Sequence, residues 1–147
     1  MNASMQRLCS WGGVGCTVLW LIGFWPLAPH FAPHSPEIGP EAVAAIYRTN
    51  NAAIILGLIS LGFGAVLYLP WCAAIAVQMK RIEGEHSPLT WSQLGLGSIF
   101  VWVFLLPVLL WMCCAYRPDE TDPQLLWRMN DMAWLSFISP VCIIFFQ

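Results

Sequence analysis

Charged side chains are scarce in this sequence: Asp, Glu, Lys and Arg make up 10% of 147 residues, where an ordinary globular domain carries about 25%. That shortage excludes intrinsic disorder. With 59% apolar residues and a net charge of -2, the chain lacks the polarity and self-repulsion that keep segments unfolded. Basic residues are scarcer still. Six Lys and Arg scattered along the chain make no electrostatic footprint for a phosphate backbone, so nucleic acid is excluded as a partner. The cysteines (Cys9, Cys16, Cys72, Cys113, Cys114 and Cys142) include no C-x-x-C pair and nearly all fall in apolar stretches. A thiol there behaves as a small hydrophobe, and neither a disulfide framework nor a zinc site follows. No histidine lies well inside an apolar stretch, which removes the axial ligand a haem between helices requires. No cofactor is expected.

What is present is a set of long uncharged runs. A charge at the centre of a bilayer is costly, so ionisable residues mark what cannot be a span. Arg7 to Glu37, Arg48 to Lys80 and Glu85 to Arg117 each enclose a run free of Asp, Glu, Lys and Arg, and each is longer than the roughly 20 residues a helix needs to cross. The last uncharged run, after Asp131, holds 16 residues and falls short alone. Asp122-Pro123 supplies a start signal for a longer helix, because Asp accepts an orphan N–H and Pro has none to satisfy. The predicted fold is therefore all-α, a single polytopic bundle of four transmembrane helices at about 10–29, 51–80, 88–116 and 123–147. Pro40 opens a short interfacial helix at about 40–48. The first run is read as a retained span, because it is long, rich in Trp and Gly, and without a clean small-x-small cleavage site.

Loops and orientation are also readable. Pro29, Pro33, Pro36 and Pro40 make the first connection extended. The second, near Gly84 and Ser87-Pro88, is short, so the second and third spans are expected to be antiparallel neighbours. Arg7 with Lys80 and Arg81 lie on one side, and Arg48 with Arg117 and Arg128 on the other. The close Lys80-Arg81 pair favours a cytoplasmic N-terminus. The chain stops on an apolar run without a basic anchor, and the expectation is a piece of a longer polytopic protein, the alternative being a natural terminus at the membrane surface.

Helices in lipid associate through close packing of small residues and shared hydrogen bonds. Three stripes fit: Gly12, Cys16 and Gly23; Ala53, Gly57, Ser60 and Gly64; Ser92, Gly95 and Ser98. Packing is the economical reading, and room for a ligand the alternative. Pro26, Pro70, Pro107 and Pro140 bend each span or mark its end. Trp11, Trp25, Trp91, Trp111 and Trp127 fall near span ends, where an interfacial belt belongs. Trp20, Trp71, Trp102 and Trp134 sit deeper, as packing residues or as a platform for a flat ligand.

Candidate chemistry is sparse. His30 and His34 have i, i+4 spacing, but Pro29 and Pro33 prevent the helix that would align them, and Glu37 is the nearest further ligand. No metal site is expected. The sharper pointer is Asp131 with Arg128 and Asn130, because an ionisable residue within a membrane helix is a functional-site hypothesis by default. Arg48, Asn50 and Asn51 fall on the same side and form, with these, one candidate polar cluster. Its bland reading is an interfacial Arg128–Asp131 pair that sets helix depth.

The blocks Arg48-Thr49-Asn50-Asn51, Leu89-Thr90-Trp91-Ser92-Gln93 and Arg117-Pro118-Asp119 through Trp127-Arg128-Met129-Asn130-Asp131-Met132-Ala133-Trp134 resemble uncharacterised bacterial multi-pass membrane proteins. The resemblance implies a membrane location and a continuation of the chain, and carries over no catalytic residue. Two functional classes follow. One is a non-catalytic packing or accessory module with the lipid bilayer and further transmembrane helices as partners; the other is a transporter or membrane enzyme built on the polar cluster.

Overall fold

The computed structural model describes residues 3–25, 35 and 37–140. These form five helices in chain order: α1 (Ala3–Phe24), α2 (Pro40–Thr49), α3 (Asn51–Glu83), α4 (Pro88–Tyr116) and α5 (Pro123–Ile138). The described residues contain no strand. Three helices, α1, α3 and α4, are long and apolar enough to cross a membrane.

The fourth expected span does not join them. As described, α5 has 16 residues, which at 1.5 Å each give about 24 Å against about 30 Å of hydrocarbon. Its early turns are spent on Arg128, Asn130 and Asp131, and the uncharged run starts only at Met132. The rest of that expected span, 141–147, lies outside the described residues. The first helix also differs from expectation, starting at Ala3; Met5, Gln6, Arg7 and Leu8 are good helix formers, and an exposed Arg is tolerated at a span's end.

Helix ends follow local chemistry. Pro40, Pro88 and Pro123 each occupy the first helical position, where a missing N–H is no loss. Asp122 caps α5 by accepting a hydrogen bond from the Leu125 N–H at 3.1 Å. Gly84 ends α3 at φ 83°, a left-handed conformation that favours glycine. Asn50 stands between α2 and α3 at φ -116°, and its N–H still bonds the Ile46 carbonyl, so the chain turns from one helix into the next within a single residue.

The helices pack in chain order. α1 lies against α3, α3 against α4, and α4 against α5, while α2 lies on α5 and touches α3 and α4. Close approaches run Gly12 to Leu67 and Pro70, then Gly23 to Gly57 and Leu61, so α1 and α3 are antiparallel. One end of the bundle therefore gathers the start of α1, the end of α3 and the start of α4. The opposite end gathers α2, the start of α3, the end of α4 and the start of α5.

Two of the three small-residue stripes meet each other. Gly12, Gly23, Gly57, Ser60 and Gly64 are buried, Cys16 and Ala53 partly so. Ser60 Oγ donates to the Leu19 carbonyl at 2.8 Å, a cross-helix bond that close backbones allow. The stripe expected on α4 does not pack: Ser92, Gly95 and Ser98 are all exposed. The opposite face of α4 is the buried one, through Gln93, Gly97, Phe100, Pro107, Val108, Trp111 and Cys114. Because α4 is apolar almost all round, its composition does not say which face meets α3 and α5.

Aromatic rings fill the space between the helices. Trp20 of α1 reaches Phe104 of α4 with centroids 4.1 Å apart, and Phe100 and Phe104 pair at 4.2 Å. Trp111, expected in an interfacial belt, is instead fully buried and packs edge-on against Trp134 at 4.8 Å. Such pairs add about 0.5–1.5 kcal/mol each beyond the area they bury. Trp11, Trp25 and Trp91 are exposed near helix ends, whereas Trp102 is exposed midway along α4.

Candidate functional site

The polar residues gather where α2 crosses the ends of the other helices. A ten-residue helix with Val43, Ala44 and Tyr47 buried must find an apolar surface, and it finds α5. Tyr47 is thereby carried into the core at 2% exposure, opposite Asn130 of α5 at 6%. Its hydroxyl donates to Asn130 Oδ1 at 2.7 Å, beside the Cys114 thiol, which donates to the Leu126 carbonyl at 3.8 Å. Burial pushes the Tyr47 hydroxyl above its ordinary pKa, so it stays protonated and remains a donor.

The beginning of α3 closes the end of α4. The last carbonyls of a helix have no partner within it. Asn51 Nδ2 donates to the Ala115 carbonyl, and Arg48 Nε donates to the Pro118 carbonyl at 3.2 Å while facing Asp119 Oδ1 at 3.5 Å. Asp119 is largely exposed, so that ion pair contributes little and the carbonyl bond does the positioning. Asn50 turns back onto its own helix, its Nδ2 donating to the Ile46 carbonyl at 3.4 Å.

The expected cluster is thus divided. Arg48, Asn51 and Asn130 make interhelical bonds, whereas Asn50 acts locally. Arg128 and Asp131 are exposed and make no hydrogen bond or ion pair with any described residue. The expected Arg128–Asp131 pair is absent among the described residues. Asn130 points inward because helical geometry turns each successive side chain by about 100°, carrying Arg128 and Asp131 to other faces.

Two polar residues that the charge pattern did not single out carry the opposite end. Glu83 at the end of α3 accepts from Leu89 N at 3.1 Å, Thr90 N at 2.8 Å and Thr90 Oγ1 at 2.6 Å. It caps α4, where a carboxylate suits both the free N–H groups and the positive end of the helix dipole. Gln93, one turn on, is buried at 2% exposure and neither amide atom has a hydrogen-bond partner among the described residues. The sequence shows Glu83 only as one of two acids, with Glu85, shortly before a helix-starting Ser87-Pro88, and spacing alone does not say which of them caps. Tyr47 was marked by its spacing from Val43 and Ala44.

The described residues contain no group of three or more His, Cys, Asp or Glu positioned to hold an ion, and no disulfide joins the described cysteines. His30, His34 and Cys142 lie outside the described residues. Two cavities lie along α1, and no residue of the polar cluster lines either of them. No family model, no curated protein and no solved structure matches this chain.

Proposed function

We propose that this chain is a non-catalytic packing or accessory module of a multi-pass membrane protein of the cell membrane, and that its polar cluster is a latch. The observation that carries this reading is the use to which the polar atoms are put. The hydroxyl of Tyr47, the amides of Asn51 and Asn130 and the Arg48 Nε are each engaged by another group of the chain. A catalytic or transport site keeps such groups facing a cavity, ready for substrate. Here they tie α2 across the ends of α4 and α5. Arg128 and Asp131, exposed on α5, are the polar contacts left for further helices of the same or another chain.

The latch is tested by stability. Tyr47→Phe removes the donor and leaves Asn130 Oδ1 buried, which costs about 1–3 kcal/mol. Asn51→Ala similarly strands the Ala115 carbonyl. Both variants should unfold earlier than wild type in denaturant titrations in detergent. Variants as stable as wild type, or more stable, would reverse the reading, because functional sites are the places where polar groups are held at the expense of stability.

For orientation, the bundle gathers Arg7, Lys80 and Arg81 toward one end and Arg48, Arg117 and Arg128 toward the other, and the adjacency of Lys80 and Arg81 favours the first. We place the Arg7 end in the cytoplasm. A cysteine at Glu85 should resist membrane-impermeant labelling of intact cells and one at Glu120 should react; the reverse pattern inverts the topology.

A further inference from the structure

The outer face of α1 carries a groove that changes character along its length. Arg7, Ser10, Val14, Thr17 and Leu21 follow one another at steps of three and four, so they form one stripe of the helix. Near the start of α1 the stripe borders a cavity of about 450 Å³ that also includes Gln6 and Gln78. Farther along it borders one of about 650 Å³, walled by Trp71, Tyr68 and Phe104. Ser10 and Val14 line both, which makes them two parts of one continuous groove with a polar mouth and an aromatic, apolar body.

The mouth holds donors that the protein leaves unspent. Arg7 is exposed and has no ion pair with any described residue. Gln6 Nε2 is shielded from solvent and has no hydrogen-bond partner among the described residues. Gln78 accepts a hydrogen bond from Arg81 at 2.9 Å, so a second guanidinium stands behind the mouth. Mouth and body also sit at the right depths. The mouth lies within the first two turns of a membrane-spanning helix, at headgroup level, and Trp11 beside it is exposed as an interfacial Trp should be. The body then runs inward from that level.

We infer that this groove binds one anionic phospholipid, its phosphate at Gln6 and Arg7 and an acyl chain laid along Thr17, Trp71 and Phe104. Charge decides against a parallel second copy of α1 as the occupant, since that copy would set one Arg7 against another. Charge also favours an anionic lipid over a zwitterionic one. The inference requires that the chain lie in a bilayer, and is independent of the latch, because none of its residues belongs to the polar cluster around Tyr47.

The test uses the full chain purified in mild detergent and supplied with equal amounts of phosphatidylglycerol and phosphatidylcholine, with bound lipid read by native mass spectrometry. Wild type should retain phosphatidylglycerol over phosphatidylcholine by about five-fold, the factor expected from one basic residue at the surface of an anionic leaflet. Arg7→Gln should bring the ratio close to one while leaving lipid bound. Thr17→Trp, which fills the body, should lower retention of both lipids, and circular dichroism should show each variant as helical as wild type. Equal retention of the two lipids by wild type, or full preference in Arg7→Gln, overturns the proposal. A dimer of the chain without lipid overturns it in favour of a second copy. In each of those cases the stability loss of Tyr47→Phe, and the latch with it, is unaffected.

Discussion

A methyl group placed at Gly12 offers the sharpest test of how α1 is held. The new Cβ would stand 2.7 Å from the Leu67 carbonyl oxygen, 3.1 Å from Pro70 Cγ and 3.4 Å from the Trp71 nitrogen. Two of those atoms are backbone and the third belongs to a proline ring, so no side-chain rotation relieves the overlap. The helices must move apart, and dispersion contacts along the seam lose a quarter to a half of their depth for a gap of about 0.5–1 Å. Overpacking of this kind costs about 1–3 kcal/mol. Replacing a helical Gly by Ala also recovers about 1 kcal/mol of propensity, which would blur the result without a reference. Gly95 supplies one: a Cβ there meets nothing within 4 Å. The propensity gain is common to Gly12→Ala and Gly95→Ala, so the difference between them isolates the close approach at about 1–3 kcal/mol. Gly13→Ala should fall between them, because the three atoms nearest its Cβ all belong to the Trp71 ring, a side chain able to turn. The assay is reversible unfolding in mixed micelles followed by circular dichroism. If Gly12→Ala proves as stable as Gly95→Ala, the α1–α3 seam is not the contact described here.

Two further contrasts follow the same logic. Glu83→Ala removes three hydrogen bonds from the start of α4, whereas Asp131→Ala removes none to any described residue; the first should lower the unfolding midpoint more than the second, and a larger loss from Asp131→Ala would give Asp131 a partner beyond the described residues. Trp111→Ala empties a fully buried site and should cost about 3–5 kcal/mol. Trp102→Ala, at a side chain 67% exposed, should stay within about 0.5 kcal/mol in detergent, and equal losses would place both rings in one environment.

Both ends of α4 are closed by residues of α3 or its approach, and the chemistry matches the helix dipole. A carboxylate, Glu83, sits at the amino end; an amide and a guanidinium, Asn51 and Arg48, donate at the carboxyl end. Satisfying these groups from a neighbouring helix also sets where α3 and α4 stand along each other. The latch around Tyr47 adds α2 and α5 to the same arrangement.

The linear order of residues decided the helices themselves. Long uncharged runs require backbone groups to bond within each segment, and Pro40, Gly84, Pro88 and Asp122-Pro123 act on their immediate neighbours, so their effect needs no knowledge of the rest of the chain. The facing of each helix was a different matter. On α1 and α3 small residues on one stripe coincide with the contact, because backbones approach closely only where side chains are small. On α4 a similar stripe looks outward and large residues fill the interface, since nearly every position there is apolar and lipid accepts any of them. The charge pattern groups Arg48, Asn50, Asn51, Arg128, Asn130 and Asp131 but does not divide them: Asn130 turns inward to Tyr47 while Arg128 and Asp131 stay outside. That choice depends on where α2 comes to rest, eighty residues away in the chain, and only the packed bundle supplies it.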